Sequence, residues 1–142
     1  MKKKYEEFLK NYEEEFVKLG KFGIKVYSKL NPDSFEKEIR YLYRSLILRK
    51  TNISKDKELK TCLKNLYNAG VPLNIYITKL FFKLISDFSN ELFRKEVSMG
   101  QLKELLNKID NSFEEISSIY LEFKAQKVKK NKKKLKSIKV YS

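Results

Sequence analysis

The sequence predicts an all-α fold, and three observations carry that reading. Apolar residues recur three and four positions apart along nearly the whole chain, the spacing that lines one face of a helix. Only four Gly and two Pro occur in 142 residues, too few turn residues for an antiparallel β fold. Apolar residues make up 42% of the chain, ten Phe and nine Tyr among them, so one domain of this length can bury roughly two-thirds of its unfolded surface. The expected organisation is five to six helices with short connections over residues 1–123, followed by a lysine-rich tail, residues 124–142.

Each element follows from its own stripe and punctuation. Tyr5, Phe8, Leu9, Tyr12, Phe16 and Leu19 define a first amphipathic helix, which Gly20 and Gly23 are expected to bend or break. Phe22, Val26, Tyr27 and Leu30 resume the spacing up to Asn31-Pro32. Pro32 suits a first helical position with Asn31 as its cap, and Asp33 with Glu36 offers an alternative box-like pair. Phe35, Ile39, Leu42, Tyr43 and Leu46 form the next stripe, ending near Lys50. Ser54 is the expected cap of a helix faced by Leu59, Leu63 and Leu66, with Gly70 just past its end.

Val71-Pro72 restarts the chain into its most apolar segment. Leu73, Tyr76, Ile77, Leu80, Phe81, Leu84, Ile85, Phe88 and Leu92 make a wide stripe. Ile75, Phe82 and Phe93 add a second side, so this helix is expected to be central and covered on two faces. Ser98-Met99-Gly100-Gln101 matches the Ser-x-x-Gln capping box. It opens a last helix carrying Leu102, Leu105, Leu106, Ile109, Phe113, Ile116, Tyr120 and Phe123. Beyond it, Val128, Leu135 and Ile138 are sparse among mutually repelling lysines, so the tail is expected to fray.

The composition excludes much chemistry. The chain has no histidine, which removes the usual general base near neutral pH and the commonest haem and transition-metal ligand. No phosphate loop, dinucleotide fingerprint or calcium loop occurs. Glu13-Glu14-Glu15 reads as a solvated face, because adjacent helical residues diverge around the axis. Asp87 with Glu91, and Asp110 with Glu114, read as surface ion-pairing groups rather than cation sites. Cys62, the one cysteine, falls between Leu59 and Leu63 and reads as a small buried hydrophobe. No catalytic residue, metal or cofactor is assigned. Met1-Lys2-Lys3-Lys4 runs straight into acidic residues without an apolar core, and no segment approaches the ~20 apolar residues of a membrane span. The expected location is cytoplasmic.

The formal charge is +14, and nine lysines of that excess lie between Lys124 and Ser142 with no acid among them, so residues 1–123 carry +5. The tail is the polycation. Lys129, Lys130, Lys132, Lys133, Lys134 and Lys136 are its candidate contacts for an acidic partner, a nucleic acid or an anionic surface.

Residues Leu66-Tyr67-Asn68-Ala69-Gly70-Val71-Pro72-Leu73-Asn74-Ile75-Tyr76, followed by two long helices, resemble the second half of sensor globins, the domains that precede diguanylate cyclases, chemoreceptors and stressosome regulators. In that family a Gly-Val-Pro turn precedes an aromatic and two long helices; Gly70, Val71, Pro72 and Tyr76 stand there, and residues 59–123 carry the likeness. The resemblance implies a globin-like fold, against which an up-and-down helical bundle stands as the alternative. Haem-binding members place a histidine four residues before the glycine, where this chain has Leu66. The implied type is therefore a haemless version, with Leu66, Tyr67, Ile77 and Phe81 around the pocket. It also implies association through terminal helices, as a homodimer or with a signalling partner, without catalysis. The alternative expectation is a helical nucleic-acid-binding accessory protein that uses its tail.

Overall fold

A computed structural model describes the backbone of residues 2–49 and 55–141, with side chains for 3–49 and 55–129. The described residues are all-helical, without a strand. The helices are α1 (Lys2–Asn11), α2 (Glu13–Tyr27), α3 (Glu36–Tyr43), α4 (Lys57–Asn68), α5 (Leu73–Phe93) and α6 (Met99–Tyr141). A 3-10 turn, Pro32–Phe35, leads into α3, and a π-helical turn, Arg44–Leu48, leads out of it. Helix α5 packs most extensively on α6, α2 lies against α3 and α5, and α3 lies against α4. Phe16, Ile24, Ile39, Leu63, Leu84 and Phe88 are among the side chains sealed between them.

The expected break at the glycines does not occur. The chain turns slightly at Tyr12, between α1 and α2, while the Tyr12 N–H still reaches Phe8 O and the Phe16 N–H reaches Tyr12 O (both 2.9 Å). Gly20 and Gly23 lie inside α2, where they allow a close approach instead. A Cβ on Gly20 would stand 2.6 Å from Ile39 Cγ2 and 2.9 Å from Tyr76 Oη; one on Gly23 would stand 2.8 Å from Tyr76 Cε2. The Tyr76 ring fills the notch that the two glycines leave, and its hydroxyl donates to Gly20 O at 2.8 Å.

That packing turns the expected second stripe of α2 outward. One residue advances a helix by about 100°, which puts Phe22 roughly 200° round from Gly20. Phe22 and Val26 are accordingly 68% and 65% exposed, and Leu30, beyond the end of α2, is exposed too. A second correction concerns α5. Its wide stripe is buried as the spacing predicts, but Ile75, Phe82 and Phe93 are 52%, 75% and 86% exposed. The neighbouring helices cover one broad face of α5 and leave that line bare.

The helix ends show how local chemistry sets boundaries. Asn31 Oδ1 accepts from the Asp33 N–H at 3.0 Å with Pro32 in the first helical position, whereas Asp33 and Glu36 both pair with Lys21 instead of forming a box. Asp56, not Ser54, caps α4: its carboxylate accepts from the Leu59 N–H at 3.0 Å and from the Tyr41 hydroxyl, and a carboxylate also favours the positive end of the helix dipole. Ser54 and Lys50 lie outside the described residues. The capping box forms reciprocally, with Gln101 N–H to Ser98 Oγ at 3.2 Å and Ser98 N–H to Gln101 Oε1 at 2.9 Å. Helix α6 then continues to Tyr141 where fraying was expected. Lysine is a good helix former, and no Gly or Pro follows Gly100.

Two helices end in the same six-residue closure. After α4, the Gly70 N–H donates to Tyr67 O and the Val71 N–H to Leu66 O, with Gly70 at φ +92°. After α5, the Lys95 N–H donates to Leu92 O and the Glu96 N–H to Glu91 O, but the left-handed position is held by Lys95, at φ +61°.

Two predictions follow from these backbones. Gly20→Ala gains about 1 kcal/mol of helix propensity but overpacks a sealed site at a cost of about 1–3 kcal/mol and strains the Tyr76 bond, so it destabilises. Gly100→Ala, where the nearest atom would be Ser98 Oγ at 3.8 Å, is the control and should not; urea denaturation reads both. Lys95→Gly should stabilise by about 1 kcal/mol, by relieving a side chain of left-handed strain, and raise the urea midpoint without changing its slope.

Candidate functional site

Beside the Tyr76 notch, helices α2 and α5 border a groove of about 200 Å³. Leu19, Phe22, Val26 and Leu80 line it, with Gly23 and Tyr76 at its contact point. Lys79 and Lys83 also border it, and no carboxylate among the described residues does. Lys79 Nζ donates to Tyr27 Oη at 3.2 Å and stands 5.8 Å from that ring's centre, while Lys83 reaches Asp87 at 3.1 Å. Lys83 is thus ion-paired with Asp87, whereas Lys79 bonds to a phenol at the groove's edge. A larger hollow of about 780 Å³ lies beside Phe22. It is lined by Glu14, Glu15, Asp33 and Glu36 together with Lys18, Lys21 and Lys25, and Lys21 pairs with Asp33 and Glu36, so it is a charged hollow of mixed sign.

The residues expected around a ligand pocket are not equivalent. Leu66, Ile77 and Phe81 belong to the sealed core, with at most 2% of their surface exposed. Tyr67 is half-buried, its ring 5.8 Å from Tyr120 and 5.5 Å from Phe123. It lines an open cleft of about 320 Å³ with Lys64, Gln126 and Lys127, between α4 and α6.

Of the tail lysines, Lys124, Lys127 and Lys129 are exposed on α6. Lys124 Nζ lies 5.0 Å from the Tyr120 ring centre, and Lys64 Nζ lies 5.4 Å from that of Phe123. The side chains of Lys130, Lys132, Lys133, Lys134 and Lys136 lie outside the described residues.

The acidic run is a correction. Glu14 and Glu15 are exposed, but Glu13 is buried. Its carboxylate accepts from Arg44 Nε at 2.6 Å and Arg44 Nη2 at 3.0 Å, and from Arg40 Nη1 at 2.7 Å. The Arg44 hydrogen bond, with Arg40 beside it, holds the Glu13 carboxyl below its ordinary range. Asp87 pairs with Lys83 and accepts from the Tyr12 hydroxyl at 2.6 Å, and Glu91 pairs with Arg94. Asp110 and Glu114 are exposed. Among the described residues, no group of three or more His, Cys, Asp or Glu is placed to hold a metal ion. Burial pushes the Cys62 thiol up to about 11, so it stands protonated near neutral pH. No helix among the described residues is long and apolar enough to cross a membrane.

The sequence stripe assigned Phe22 and Val26 to the interior, and so missed the groove. The available signal was Gly20-x-x-Gly23: two small residues one turn apart mark the side a helix presses against its neighbour, which turns Phe22 away. No family model, curated protein or solved structure matches the chain.

Glu13 carries the prediction here. Glu13→Gln should cost about 2 kcal/mol at neutral pH, the worth of hydrogen bonds to charged partners. Because the folded carboxyl titrates below its ordinary value of 4.5, its contribution is full above that pH and is lost as the pH falls through the folded value. Chemical denaturation from pH 7 to pH 2 should therefore show the variant and the parent converging in acid.

Proposed function

We propose that this chain is a non-catalytic regulatory module that acts by binding a protein partner, and that it is a haemless domain of globin-like type. The observation that carries the first part is the bare apolar line Ile75, Phe82 and Phe93, which about 100° per residue aligns along one face of α5. Single exposed apolar residues are ordinary, but several large side chains aligned on one helix face mark an interaction surface. The second part is supported by the Gly70-Val71-Pro72 turn, which closes α4 and starts α5, and by Leu66, which is sealed in the core where haem-binding sensor globins carry histidine.

A second reading, binding of nucleic acid by the lysine-rich part of α6, is favoured by the exposure of Lys124, Lys127 and Lys129. It predicts an affinity that falls steeply with salt, because neutralised phosphates release counterions.

One set of titrations tests both. Haemin added to the full chain should give no stoichiometric Soret complex; a sharp one-to-one band would overturn the haemless assignment. A labelled single-stranded oligonucleotide should bind only at low salt, and deletion of 124–142 should abolish that binding. Retention at high salt, or after the deletion, would place nucleic-acid recognition in the folded part and displace the partner-binding reading.

A further inference from the structure

The proposed reading leaves the partner open, and the groove between α2 and α5 narrows it. Resting on that reading, we infer that this groove receives an amphipathic helix of a partner protein whose apolar stripe is flanked by acidic residues. Three features of the groove favour such an occupant.

The first is size. About 200 Å³ holds roughly one or two large side chains, whereas pockets for drug-sized ligands run to roughly 300–1,000 Å³. A helix supplies such side chains at i, i+3, i+4 and i+7, and is bound in this way by grooves between helices. The Tyr76 ring, packed against Gly23, lines the groove together with Phe22 and Leu80.

The second is charge. Lys79 and Lys83 border the groove, Lys83 paired with Asp87 and Lys79 with the Tyr27 hydroxyl, and no described carboxylate lines it. A second copy docking through the same groove would bring Lys79 and Lys83 against their own counterparts. Acidic flanks on the occupant complement the rim, and such complementarity sets orientation and partner choice.

The third is composition of the walls. Phe22 and Val26 expose about two-thirds of their surfaces, and aromatic anchors in a concave site typically carry most of the binding energy. The groove is concave, which suits a helix better than the flat face of a bilayer.

The test uses the full chain, isotopically labelled for amide NMR, and a synthetic helical peptide of about five turns. The peptide carries leucines at i, i+3, i+4 and i+7 and glutamates on its flanks; a lysine-flanked twin and a scrambled acidic peptide are the controls. Saturable shifts are expected at Leu19, Phe22, Val26 and Leu80 with the acidic amphipathic peptide alone. Phe22→Glu and Lys79→Glu, both at exposed positions, should each weaken binding about tenfold or more while leaving the remaining spectrum unchanged. Shifts confined to Lys124–Lys129, or equal binding of the scrambled peptide, would mean charge attraction alone and would overturn the proposal. So would groove shifts that grow with protein concentration without peptide, which denote a second copy. Groove shifts caused by phosphatidylserine vesicles but not by the peptide would assign the surface to lipid. A Soret complex in the haemin titration, by contrast, would defeat the haemless reading and leave the groove result standing.

Discussion

The structure depends on a ring pressed into a notch. Tyr76 of α5 lies against Gly20 and Gly23 of α2, at distances that no side chain at either glycine would permit. Ile39 of α3 enters the same space, so three helices meet where two small residues stand one turn apart. The Tyr76 hydroxyl, which would be costly to bury alone, is satisfied by Gly20 O. Close approach and polar satisfaction thus come from the same pair of residues. Everything outward of the notch inherits its geometry: once Gly20 faces in, Phe22 must face out.

Tyrosine does similar work elsewhere in a chain that has neither tryptophan nor histidine. Tyr43 donates to Leu9 O, joining α3 to α1. Tyr12 donates to Asp87, joining the α1–α2 turn to α5. Tyr41 donates to Asp56, which also caps α4. Each ring supplies apolar area, and each hydroxyl finds a fixed acceptor on another element. Burial raises the Tyr12, Tyr43 and Tyr76 hydroxyls above their ordinary range, so they remain donors across the physiological span. Lys108 completes the set from α6, donating to Ile47 O at 3.1 Å, where the π-helical turn ends.

How much of this was legible follows from which forces are local. The Asn31 cap, the Ser98–Gln101 box and the Gly70 closure involve residues within a turn of one another, and the sequence alone locates them. The stripes of α4, α5 and α6 identify their buried faces for the same reason. What period cannot say is how many neighbours a helix has. Ile75, Phe82 and Phe93 satisfy helical spacing whether they meet another helix or water, so their exposure was not readable. Glu13 was misread because its partners, Arg40 and Arg44, come from α3 and the turn beyond it. Asp56 displaced Ser54 as cap because Tyr41, on another helix, fixes its carboxylate. Of the proposed pocket, Leu66, Ile77 and Phe81 were recognisable as apolar positions, but apolar spacing does not distinguish a pocket wall from a filled core.

The two glycines also separate fold from surface. Gly20 is buried, between Ile39 and Tyr76, so its constraint is one of stability. Gly23 is half-exposed, touching the same ring at the mouth of the groove, so a side chain there would obstruct both the packing and the opening. Both glycines are thus required by the same Tyr76 ring, and the groove beyond Gly23 is bordered by Phe22 and Val26 of α2 and by Lys79 and Lys83 of α5. The basic stretch of α6 begins beyond Phe123, the last buried side chain among its described residues. The lysine-rich stretch of α6 and the groove between α2 and α5 therefore lie on different helices, and a charge can be altered at one without touching the side chains of the other.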